Sequence, residues 1–125
     1  MINYYIAVDI GASSGRLIAG MIHDGKLELE EIHRFPNYFK NDGTYDFWDI
    51  DNLIQEIFIG LERAKKNGIE KATLGIDTWA VDYVLINRKG NKLRNPVSYR
   101  DKRTTHAIEQ LTRKIPKQKI YEKTG

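Results

Sequence analysis

Apolar and polar positions in the first 36 residues follow the short period of extended chain. Residues 3–10, NYYIAVDI, are dense in β-branched and aromatic types and predict a buried strand. Residues 16–23, RLIAGMIH, predict a second strand. Asp24-Gly25 follows, a hairpin signal, because both central positions of a type I′ turn need positive φ. Residues 26–35, KLELEEIHRF, carry Leu27, Leu29, Ile32 and Phe35 as a strand with one open face would. Pro36 ends the run, since proline cannot donate to a ladder. The three strands predict an antiparallel meander.

Residues 37–48 are polar and aromatic, with a second Asp-Gly at 42–43, and predict an irregular excursion or a small hairpin. The period then changes. Ile50, Leu53, Ile54, Ile57, Phe58, Leu61 and Ala64 recur at three and four, which predicts an amphipathic helix over 50–66. Asp49 suits its N-cap, Lys65 and Lys66 suit the negative end of its dipole, and Gly68 suits its stop. Residues 72–77, ATLGID, predict another buried strand, and 82–87 with 92–98 predict a hairpin around Lys89-Gly90-Asn91. A helix over 102–114 precedes Pro116. The order is β-β-β-α-β, a hairpin, then α: an α/β chain laid out as the start of a ribonuclease-H-like domain.

Composition narrows the setting. The 125 residues are 41% hydrophobic and 30% charged, as in an ordinary globular chain. There is no cysteine, so disulfides and thiolate chemistry are excluded and a cytoplasmic home is the simple expectation. No run of the sequence reaches the roughly 20 apolar residues of a membrane helix, and the N-terminus does not read as a signal peptide. Charge is uneven. Residues 1–87 hold 8 Lys/Arg against 14 Asp/Glu, whereas residues 88–125 hold 12 against 3. A basic end suits nucleic acid or phosphate. Here the basic residues are scattered with few aromatics to stack bases, so a solvated face is the better reading and no nucleic-acid partner is expected.

Three segments carry candidate chemistry. In AVDIGASSGR, residues 7–16, Asp9 closes an apolar strand, where a carboxylate is costly without a partner or cation. Gly11 and Gly15 bracket a turn whose N–H groups suit an anion, Ser13 and Ser14 add hydroxyls, and Arg16 offers a planar fork. A magnesium ion near Asp9 with phosphates over the turn uses all of these; a tight hairpin alone explains the glycines and serines equally well. In GIDTWAVDY, residues 75–83, Asp77 closes its strand as Asp9 does, and neighbouring strands would bring the two carboxylates to one cleft. Trp79 suits packing on a sugar face or in a core, and Asp82 suits a hydroxyl or a turn cap. In PVSYRDKRT, residues 96–104, Arg100 and Arg103 suit a phosphate or carboxylate, while Asp101 is better read as a helix cap. His23, His33 and His106 have no ligand-like spacing.

Together with EIHRF and WDID, these segments resemble the FGGY carbohydrate kinases over residues 5–125. The Ala-Ser-Ser-Gly-Arg form of the turn is similar to that of the members that phosphorylate L-rhamnulose. The resemblance implies the N-terminal part of an actin/hexokinase-type ATPase domain. It implies transfer of the γ-phosphoryl group of ATP, with Mg2+, to the 1-hydroxyl of L-rhamnulose. Gly11, Ala12, Ser13, Ser14, Gly15 and Arg16 would lie on the nucleotide phosphates and Asp9 would help place the metal. Asp77, Trp79, Ala80, Asp82 and Arg100 would face the sugar. Ala80 departs from the glycine common in those members. Such kinases have two domains, and neither the catalytic base nor the adenosine pocket has a counterpart here. The chain alone is therefore expected to be inactive, to need the remainder of a kinase chain, and to self-associate through an uncovered face of the 50–66 helix. Two other readings stand beside this one. One is a ribonuclease-H-type nuclease with Asp9, Glu56 and Asp77 around two cations, although Glu56 falls on the polar side of its helix. The other is a non-catalytic sugar- or phosphate-binding module.

Overall fold

The computed structural model describes residues 3–125. Strands β1 (Tyr4–Ile10), β2 (Ser14–His23) and β3 (Lys26–Pro36) form the antiparallel meander that the alternation predicts. Its second turn places Asp24 and Gly25 both at positive φ, the geometry an Asp-Gly hairpin requires. A small hairpin follows, β4 (Phe39–Asn41) with β5 (Asp46–Trp48), closed at Asp42 by two backbone N–H groups donated to its carboxylate. Helix α1 (Ile50–Lys66) then crosses back, and β6 (Ala72–Asp77) pairs in parallel with β1. The sheet order is β3-β2-β1-β6.

The ends of α1 are set by local chemistry. The Asp49 carboxylate accepts from Asn52 N. At the other end Gly68 N donates to Lys65 O and Ile69 N to Ala64 O, a Schellman stop that needs Gly68 at φ 88°. The helix lays Leu53, Ala64 and the half-buried Ile57 and Leu61 on Val8, Leu17, Ile32 and Phe35.

Strand β3 departs from simple alternation. A bulge lies between the pairs Leu17–His33 and Ile18–Glu31, with Ile32 as the extra residue. Ile32 and His33 are both buried as a result, and the face exchanges. Ile32 and Phe35 reach the core, whereas Leu27 and Leu29 point to the other side and stay 65% and 66% exposed. The single apolar face expected of 26–35 is thus split between both sides of the sheet.

His33 also anchors α1. Arg63 Nη1 lies 2.8 Å from its Nδ1 and Glu56 Oε2 lies 2.6 Å from its Nε2. A guanidinium has only donors, so Nδ1 accepts and Nε2–H donates to Glu56.

Two expected elements differ, and one further element was not expected. Residues 82–87 and 92–98 do not form a two-stranded hairpin; a turn at 87–91 leaves one bridge, Ile86–Lys92. Residues 96–98 pair with β5 instead, through Trp48 N to Pro96 O and Ser98 N to Asp46 O. The β5 edge competes better because it buries Trp48 completely, whereas Leu85, Ile86 and Leu93 gain no cover. The 102–114 helix is broken: a 3-10 turn spans Lys102–Thr104, and α2 starts only at Ala107 (Ala107–Lys114). A further helix, α3 (Lys117–Thr124), starts after Pro116, a residue read only as a stop.

Candidate functional site

The parallel pairing of β1 with β6 makes Asp9 and Asp77 register partners. Partnered residues project to the same side of a sheet, so both carboxylates stand on the face away from α1. Asp9 is also partnered with Arg16 across β1–β2, and Arg16 Nε donates to Asp9 Oδ2 at 2.8 Å. Both side chains are 43% exposed, so this pair adds little stability; its effect is to aim the guanidinium. The nuclease arrangement fails here. Glu56 is engaged by His33, the partner of Leu17, on the opposite face of the sheet from Asp9 and Asp77. Among the described residues no three His, Cys, Asp or Glu side chains form a metal cluster. Two carboxylates do suit Mg2+, which keeps several waters and takes one or two protein oxygens.

Between β1 and β2, residues 11–13 make a tight turn in which the Gly11 and Ser13 carbonyls, and that of Ser14 just beyond, are drawn inward. Gly11 N donates to Ser14 O, Asn37 N donates to Ser13 O, and Asn37 Nδ2 donates to Gly11 O. The N–H groups of Ala12 and Ser13 have no acceptor among the described residues. A rim with three oxygens tied back and two donors free attracts an anion. Ser13 is exposed, and Ala12 and Ser14 are half-buried. Gly15 differs: it is buried under Phe35, and a Cβ there would lie 2.1 Å from Phe35 Cζ. Its glycine is required by packing. Asn37, 3% exposed, has no periodic or motif signal in the sequence beyond following Pro36, and sequence reasoning passed over it.

Beyond Asp77 the chain enters the 78–82 loop, which contains Val81 at φ 78°. A β-branched residue in this region is strained, and such strain persists only where neighbours enforce it. Asp82 is the enforcing group. Its Oδ2 accepts from Trp48 Nε1 at 2.6 Å, Trp79 Nε1 at 3.0 Å and Tyr99 N at 3.2 Å. Trp79 is half-buried, its ring 4.5 Å from that of Trp48, so part of its apolar surface is used internally. Ala80 is exposed, as is Arg100, whose guanidinium lies 6.0 Å from the Tyr99 ring centre. Asp82 therefore draws the Trp79-Ala80 loop and the Tyr99-Arg100 segment together, and only Thr78 separates that loop from Asp77.

Asp101 is a cap, as its position suggested, but of the 3-10 turn. It accepts from Asp46 N at 2.7 Å and Arg103 N at 2.8 Å. These backbone bonds, Asp46 first, hold its carboxyl below the ordinary value. Arg103 lines a small recess of about 150 Å³ with Tyr45, Asp82, Tyr83 and Arg94.

Comparison with known proteins gives the family and the fold. The chain is 62% identical over 121 residues to the rhamnulokinase of Lactiplantibacillus plantarum, covering 97% of this chain and 25% of that protein. It is 58% identical to the rhamnulokinase of Ligilactobacillus salivarius and 51% to that of Bacillus subtilis, each over 121 residues and with the same coverage. It thus spans about a quarter of the length of these curated relatives. Among solved structures, gluconate kinase from Lactobacillus acidophilus superposes with TM-score 0.76 at 13% identity, covering 99% of this chain and 25% of that one. Xylulose kinase from Rhodospirillum rubrum gives 0.63 at 16%, covering 93% and 25%. These likenesses show the actin/hexokinase-type α/β fold. Residues 4–125 match the N-terminal domain of the FGGY family of carbohydrate kinases, and the chain belongs to that family.

Proposed function

We propose that these residues form the phosphate-binding and sugar-facing wall of a cytoplasmic, ATP-dependent L-rhamnulose kinase. The observation that carries this reading is the 11–16 turn, with free N–H groups at Ala12 and Ser13 beside the Asp9–Asp77 pair. Phosphoryl transfer needs charge neutralised around the γ-phosphate, and a donor-rich turn flanked by carboxylates for a cation provides one side of that. Ala12, Ser13, Ser14 and Arg16 hold the nucleotide phosphates, and Gly11 and Gly15 set the shape of the turn. Among the described residues Asp9 engages only the Nε of Arg16, which leaves both Nη groups available. Asp9 and Asp77 would hold Mg2+, which when bound screens the phosphate oxygens from the incoming hydroxyl.

On the sugar side, exposed Ala80 and the remaining surface of Trp79 face L-rhamnulose. Asp82 holds them and keeps Oδ1 for a hydroxyl, and Arg100 lies at the margin. In the reaction the sugar 1-hydroxyl oxygen bonds to the γ-phosphorus, the bond to the ADP oxygen breaks, and the hydroxyl proton passes to a base. On this reading, which follows the FGGY resemblance, that base lies outside these 125 residues, the remainder of a kinase chain is the natural partner, and the isolated chain turns over no substrate.

The test joins this chain, after Gly125, to the remainder of the Lactiplantibacillus plantarum rhamnulokinase and follows ADP release. Release that depends on L-rhamnulose supports the reading. Release that is indifferent to the sugar, or faster with other ketoses, removes the assignment. Saturable sugar binding without ADP would favour a binding module.

A further inference from the structure

We propose that Asn37 is a positioning residue for the phosphate-binding turn, acting through the carbonyls of Gly11 and Ser13. This rests on the phosphate reading of residues 11–16. Asn37 sits just past the end of β3, yet it reaches the β1–β2 connection from two directions. Its backbone N–H donates to Ser13 O at 3.0 Å and its side-chain Nδ2 donates to Gly11 O at 2.8 Å. With Gly11 N on Ser14 O at 2.9 Å, three carbonyls around the turn are committed inward.

That commitment sets the sign of the local field. A turn this short exposes either its carbonyls or its N–H groups toward a given side. A carbonyl oxygen left unbonded beside a phosphate would repel it, whereas the free N–H groups of Ala12 and Ser13 attract it. Burial makes the choice firm. Asn37 is 3% exposed, so water does not readily replace its bond to Gly11, and an unpaired amide or carbonyl there is costly. The neighbouring packing agrees, because Phe35, two residues earlier, closes on Gly15 at the other end of the turn. The end of β3 thus holds the turn at both ends, and Asn37 supplies the part that faces the ligand chemistry.

Two variants separate this from a role in folding. Asn37→Asp keeps the shape and the backbone bond but removes the donor to Gly11 O; Asn37→Ala removes the donor without adding charge. The probe is tripolyphosphate with magnesium, and the readout is amide hydrogen exchange along the 125-residue chain. In the wild type the ligand should slow exchange at residues 12–14 by about tenfold or more, and in both variants by less than about twofold. The β1–β2 ladder should remain protected throughout. Equal protection of the turn in variants and wild type overturns the role of Asn37 and leaves the phosphate site standing. No protection in the wild type overturns both. Loss of the ladder in both variants assigns Asn37 to fold stability and overturns the positioning role. In the joined kinase, the same variants should raise KM for ATP about tenfold with KM for the sugar unchanged.

Discussion

At Gly15 the absence of one carbon lets β2 and β3 close together just past the end of the turn. A methyl group there would meet the Phe35 ring from 2.1 to 2.9 Å, and Phe35 is itself buried. Gly15→Ala should destabilise the chain by about 1–3 kcal/mol, the usual cost of overpacking. Adding Phe35→Leu should recover part of this, read as paired urea midpoints; no recovery would place the cost in the backbone. Asp101 shows the other kind of single-residue control. Its carboxyl is held low by the N–H groups of Asp46 and Arg103, so the ionised form is the one the fold favours. Its contribution is present above the unfolded carboxylate value of about 3.9 and is lost as pH falls through the lower folded value. Wild type and Asp101→Asn should therefore differ in urea midpoint at neutral pH, with the gap closing as pH falls from about 4 through the lower folded value. A gap that persists in acid would remove the ionic account. Asp9, Arg16 and the turn glycines could be singled out from sequence because acid, glycine, serine and arginine crowd ten positions. Asn37 could not, since its meaning comes from carbonyls 24 and 26 positions away.

Elements were legible where their determinants are local. Helix α1 has the predicted bounds because Asp49, the three-four apolar spacing and Gly68 lie within the helix or one turn of it. Its stop should be sensitive: Gly68→Ala forces a side chain into φ 88° and should cost roughly 1 kcal/mol, measured by thermal or urea unfolding. An unchanged stability would mean that the Schellman bonds contribute little. Where the determinants are distant, element reading failed. The 92–98 stretch has strand-like residues, but whether it pairs with 82–87 or with β5 depends on which edge buries Trp48. The β3 bulge is likewise invisible in a pattern that looks continuous, because one added residue reverses which side every later residue faces.

The whole molecule is a sheet covered on one side. Helix α1 lies over β2 and β3, while the opposite face presents Tyr5, Ala7, Ile18, Ile22, Leu27 and Leu29 in an open apolar surface. Strand β6 is exposed along its length, and on α1 itself Ile54 and Phe58 remain uncovered. A contiguous apolar surface of this kind is ordinarily covered by a further element or a partner. By themselves these 125 residues should self-associate, and Leu29→Lys, on the open side, should reduce this without unfolding the chain. Light scattering across a concentration series checks it; a monomer at every concentration would contradict the expectation. The larger apolar surface is the sheet face, a location that the helix pattern alone did not reveal.

The sequence by itself determined the meander, the crossing helix, the parallel strand and the turn that marks the family. Each is written in short-range periodicity and in chemistry a few residues wide. The convergence of Asp9 and Asp77 is expected from the strand order, and the β1–β6 register makes them partners. Only the tertiary structure decided that Asp82 clamps two tryptophans and that Asn37 ties the Gly11 and Ser13 carbonyls of the 11–13 turn inward. It also decided that Glu56 lies across the sheet from both acids. These are relations between strands and loops distant along the chain, set by register and by which side of the sheet a residue faces, and neither is encoded in any one segment.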